Sequence, residues 1–138
     1  MANRRFVSQF RNSYQKDPTD VFAHVTFGAS GVPTLDILNS FGIYSVTRNS
    51  TGNYTFVFGS AGSNIQALDS YNYLLMAKHM FINSTAPAAP GMYITNNSIN
   101  VPGVASITVQ FNSAGSATDP ANGEQVLLDF IMRNSSVR

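Results

Sequence analysis

Along most of the chain, apolar and polar residues alternate with a period of two, which is the pattern of half-buried strands. Residues 21–27 (VFAHVTF) are rich in β-formers and end at Gly28-Ala29-Ser30-Gly31. Residues 43–48 and 53–58 flank Asn49-Ser50-Thr51-Gly52, whose Asn and Gly tolerate positive φ, so the pattern predicts a hairpin. On its second strand Tyr54, Phe56 and Phe58 share one face and Thr55 and Val57 the other. Residues 104–111 place Ala105, Ile107, Val109 and Phe111 on one face against Ser106, Thr108 and Gln110. In residues 125–133, Val126, Leu128, Phe130 and Met132 oppose Gln125, Leu127, Asp129, Ile131 and Arg133.

Three stretches are less regular. Residues 33–40 carry Leu35, Ile37 and Leu38, which fit one short helical turn. Residues 71–82 are long enough for a helix, but alternating Tyr71, Tyr73, Leu75, Ala77, His79 and Phe81 favour a strand. Residues 92–99 fit a short edge strand. Residues 59–70, 83–90 and 112–123 are Gly, Ser, Asn, Ala and Pro segments that read as loops. About seven strands with polar turns and almost no helix predict an all-β fold, an antiparallel β-sandwich or small barrel.

The first 20 residues do not share this pattern. Phe6, Phe10 and Tyr14 recur every four positions, so a helix would align them on one side, while an extended arm would offer them singly to neighbours. Asp17-Pro18-Thr19-Asp20 separates this arm from the body. The expected organisation is an N-terminal arm over residues 1–20 and a sandwich body over residues 21–138.

Charge sharpens that division. The net charge of +1 hides a leading stretch, residues 1–16, with Arg4, Arg5, Arg11 and Lys16 and no acid, against residues 17–138 with net charge −3. Such an arm seeks an anionic partner surface. Arg and Lys among aromatics also suit nucleic acid. Four cations give only a small counterion-release effect, though, and the body adds nothing to it. The balance favours an arm that docks on protein, and nucleic acid is an unlikely partner.

Charged residues are 11% of the 138, well below the roughly 25% of an average soluble protein. A surface of neutral polar groups suits a protein covered by partners in an assembly. No run of apolar residues follows Arg4-Arg5, so a Sec signal peptide is not expected, and no stretch of about 18 apolar residues suggests a membrane helix. Cysteine is absent, which removes disulfides, thiol catalysis and Cys-based zinc sites.

Catalytic patterns are missing. Gly28-Ala29-Ser30-Gly31 has neither the Lys nor the helix of a phosphate loop. His24 and His79 stand alone on apolar strands and are expected to be hydrogen-bonded core or interface residues. Asp119 and Glu124 bracket a loop and form at most a weak cation site. Asp129 is expected to pair with Arg133 or with a cation on a neighbouring strand. Trp, the usual sugar platform, is absent, and Tyr44, Tyr54, Tyr71, Tyr73 and Tyr93 are expected to pack in the core or an interface. The expectation is no enzyme, no cofactor and no metal.

Residues 42–58 (GIYSVTRNSTGNYTFVF) resemble a hairpin that recurs in small virion proteins and in tail or fibre domains of tailed bacteriophages, especially marine ones. Asp69-Ser70-Tyr71-Asn72-Tyr73 resembles the strand that follows that hairpin. Residues 104–111 and 126–131 resemble its closing strand pair, so the likeness spans about residues 42–133. Fibre domains carry a long trimeric shaft ahead of this hairpin, where this chain has a short sticky arm. The resemblance therefore implies a head decoration (cement) protein that binds the outside of the phage head and bridges capsid subunits. Its implied partners are the major capsid protein and further copies of itself, as a homo-oligomer such as a trimer. Its implied location is the virion, assembled in the bacterial host cytoplasm. The implied capsid-binding residues are Arg4, Arg5, Phe6, Phe10, Arg11, Tyr14 and Lys16. The alternative is a tail or fibre-knob component that binds a host surface glycan.

Overall fold

The computed structural model describes residues 19–60, 63–64, 71–82, 84, 86–98 and 105–134. Two antiparallel sheets pack face to face as a β-sandwich. The first has the order β2-β1-β10-β6, from Pro33–Leu35 (β2), Thr19–Phe27 (β1), Gln125–Asn134 (β10) and Tyr71–Ile82 (β6). The second runs β3-β4-β8-β7, from Ile43–Ser50 (β3), Asn53–Ser60 (β4), Ser106–Ser113 (β8) and Gly91–Asn97 (β7). Two short strands extend it: Ser63–Asn64 (β5) on β4 and Ser116–Ala117 (β9) on β8.

The core lies between the sheets and is made by the faces that alternation predicts. Phe56, Phe58, Ile107, Val109, Phe111, Val126, Leu128, Phe130 and Met132 are all fully buried. Aromatic rings cross from one layer to the other. Phe130 of the first sheet meets Phe58 edge-on at 5.5 Å and Phe56 at 5.6 Å. Phe27, Tyr54 and Phe111 form a second cluster of mutually edge-on rings 5.1–5.7 Å apart. Edge-to-face contacts of this kind add to the stabilisation from burial alone.

Residues 71–82 form a strand, as their alternation predicts. Its pairing with β10 shifts register between Ile131 and Met132. The predicted edge strand is β7, at the end of the second sheet. The hairpin is tighter than expected, with only Thr51 and Gly52 between β3 and β4. Gly52 has φ +71°, and a Cβ there would sit 2.6 Å from the Phe111 carbonyl oxygen, so glycine is required twice over.

Residues 33–40 divide instead of forming one helical turn. Pro33–Leu35 pairs with β1, and Ile37–Asn39 makes a 3-10 turn whose start is held by Asp36 accepting from the Leu38 and Asn39 amides. Pairing over three residues leaves too little pattern to read. The same applies to β5 and β9, and it explains why the strands outnumber the seven expected.

Candidate docking face

The arm residues Arg4, Arg5, Phe6, Phe10, Arg11, Tyr14 and Lys16 lie outside the described residues. So does Asp17. The remaining sequence candidates have definite places.

Asp119 and Glu124 are not a cation site. Asp119 accepts from Arg48 Nε at 3.1 Å and Nη2 at 2.7 Å, from the Gly52 amide at 2.8 Å and from the Tyr54 hydroxyl at 2.7 Å. Burial opposes ionisation of Asp119, but these hydrogen bonds prevail and hold its carboxyl below the usual range. The Tyr54 hydroxyl also reaches the Gly31 carbonyl at 2.9 Å, and burial pushes its pKa up. This knot ties the hairpin to the loops at one end of the sandwich. Glu124 is buried and accepts from the Ala121 and Ala88 amides and from the Ser84 hydroxyl. Both carboxylates are spent on structure, and among the described residues no cluster of three or more His, Cys, Asp or Glu is arranged to hold a metal.

His24 and His79 are both hydrogen-bonded. His24 Nδ1 lies 3.3 Å from Asp36 Oδ2, and its Nε2 lies 3.4 Å from Gln125 Oε1. His79 Nε2 donates to the Pro90 carbonyl at 2.9 Å, and its ring packs edge-on against Phe81 and Phe111. Of the tyrosines, Tyr54 is fully buried, whereas Tyr44 and Tyr93 are exposed.

The two outward faces of the sandwich differ in chemistry. The outer side of the second sheet carries rows such as Thr47–Thr55–Thr108 and Ser45–Val57–Ser106, with a 2.8 Å bond between the Thr55 and Thr108 hydroxyls. Neutral polar rows of this kind need no cover.

The outer side of the first sheet is different. Register places its residues in rows across β1, β10 and β6: His24–Leu127–Met80, then Phe22–Asp129–Lys78, then Asp20–Ile131–Met76. Phe41 pairs with Phe22 through a β-bridge, and their rings stand 6.0 Å apart. Phe22, Phe41, Met76 and Met80 are all exposed, Met80 by 65%. Apolar side chains in contiguous rows on a sheet face mark a surface that associates.

Two acids, Asp20 and Asp129, stand in these rows, Asp129 in the middle one. Asp129 Oδ1 is buried and has no hydrogen-bond partner. The expected pairing of Asp129 with a cation is not made by Lys78, which faces it across the ladder without closing an ion pair; the Arg133 side chain lies outside the described residues. Burial, reinforced by Asp20, raises the Asp129 pKa, and Lys78 only partly offsets this.

The alternation of β10 and β6 already contained the signal for this face. Leu127 and Ile131 stand where a solvated face would carry polar residues, and Met76 and Met80 do the same on β6.

Comparison with family models, curated proteins and solved structures finds no match to the chain.

Proposed function

We propose that the protein is a structural component of a phage virion, a head decoration (cement) protein that binds the outside of the assembled capsid and bridges its subunits. The observation that carries this reading is an apolar outer sheet face in a chain whose first 16 residues bear four cations and three spaced aromatics. The hairpin resemblance over residues 42–58 supplies the viral context. The sparse charge agrees with a surface that spends its life covered.

The mechanism is linkage. A protein that binds the assembled shell and not its separated subunits shifts the equilibrium toward the shell. At a free concentration a hundred times Kd, each site adds about 2.7 kcal/mol. Phe6, Phe10 and Tyr14 act as apolar anchors across a joint between subunits, and Arg4, Arg5, Arg11 and Lys16 contact acidic capsid groups. Aromatic and Arg side chains are the residue types that dominate binding energy.

The test is occupancy on purified capsids. Full-length protein decorates them and raises the temperature at which they disassemble. Arg4→Glu, Arg5→Glu and Arg11→Glu together abolish decoration and leave circular dichroism of the body unchanged. Undiminished occupancy by that variant, or density for the chain at the tail instead of the head, overturns the reading.

A further inference from the structure

The outer face of the first sheet is self-complementary. Consider a second copy laid on it, related by a two-fold axis parallel to the strands and midway between β10 and β6. Each β10 then covers the β6 of the other copy. The ladder register brings Leu127 over Met80, Ile131 over Met76 and Asp129 over Lys78. Apolar groups meet apolar groups, and the acid meets the base twice, once on each side of the axis.

Two other axes fail on charge. An axis along the Phe22–Asp129–Lys78 row sets Lys78 on Lys78, and an axis over β10 sets Asp129 on Asp129. Like charges brought together in a desolvated contact are strongly unfavourable.

We propose that the β10–β6 outer face is an isologous interface between two copies of this chain, closed by reciprocal Asp129–Lys78 ion pairs within a field of Leu127, Ile131, Met76 and Met80. A second copy supplies what each chain lacks on its own: a cation beside the Asp129 carboxylate, one oxygen of which has no partner, and an apolar cover for the methionines. Closed two-fold symmetry also uses up the β10–β6 rows, so association through them stops at two. The inference concerns the chain in solution and does not rest on capsid binding.

Sedimentation velocity of the full-length chain, from about 1 μM to about 1 mM, tests it. A concentration-dependent dimer is expected. Lys78→Asp and Asp129→Lys each weaken association at least about tenfold, because each sets like charges against each other. An equimolar mixture of these two variants regains the dimer, since both cross-copy contacts again join opposite charges. Met80→Lys, at an exposed position, weakens association without altering the circular dichroism spectrum, and it decides the matter if Asp129→Lys does not fold. The proposal is overturned by a chain monomeric throughout the range, by Lys78→Asp or Met80→Lys associating like the parent, or by folded single variants whose mixture stays monomeric. It is equally overturned if Arg4→Glu, Arg5→Glu and Arg11→Glu dissociate the dimer while Lys78→Asp does not, since the arm would then be the occupant of the face.

Discussion

Asp129 and Lys78 stand opposite each other across the β10–β6 ladder, yet they form no ion pair, and the buried Asp129 Oδ1 has no hydrogen-bond partner. An acid left in this state penalises the isolated fold. Its folded-state pKa is raised above the ordinary 3.8, first by burial and then by Asp20. The native state therefore binds the proton more tightly than the unfolded chain does. Below pH 3.8 the group costs nothing. As pH rises from there through the folded pKa, stability is lost, and the loss is complete above it. In dilute, monomeric protein, Asp129→Asn raises the urea midpoint at pH 7, and the advantage vanishes below about pH 4. In concentrated protein the same substitution weakens the dimer. Unfolding and sedimentation on one variant check both signs.

The bond from the Tyr54 hydroxyl to Asp119 joins residues 65 apart and sets the end of the sandwich. Tyr54→Phe keeps the buried ring and removes the hydroxyl, leaving Asp119 and the Gly31 carbonyl short of a donor. The expected loss is about 1–2 kcal/mol, read as a lower urea midpoint with unchanged m-value.

Phe130 is the ring through which the first sheet grips the second, touching Phe56 and Phe58. Phe130→Ala removes both contacts and leaves a cavity at the sheet interface. The expected cost is about 3–5 kcal/mol, a large part of the roughly 5–15 kcal/mol that holds a domain folded. Thermal unfolding followed by circular dichroism checks it, and a loss under about 1 kcal/mol would place the ring outside the core.

Much of this architecture is legible in the chain, because a sandwich asks only for alternation. Tyr54, Phe56 and Phe58, and likewise Ile107, Val109 and Phe111, show their buried side by position alone. Two features were not legible. Pairing over two or three residues, as in β2, β5 and β9, depends on which backbone happens to lie alongside. The roles of Asp119 and Glu124 depend on partners distant in sequence: Arg48 for one, Ser84 and the Ala88 amide for the other. Sequence places two carboxylates on one loop and cannot say that they point to different neighbours. The docking face was half visible. Leu127 and Ile131 break the polar side of β10, but only the ladder register reveals that Met80 and Met76 continue their rows.

The central claim is that the outer β10–β6 face is covered when the protein is at work. Hydroxyl-radical footprinting of Met76 and Met80, read by mass spectrometry on dilute chain, on concentrated chain and on purified particles, tests it most directly. The account predicts rapid oxidation of both methionines in the dilute chain and strong protection in the other two samples. Equal oxidation in all three would contradict it.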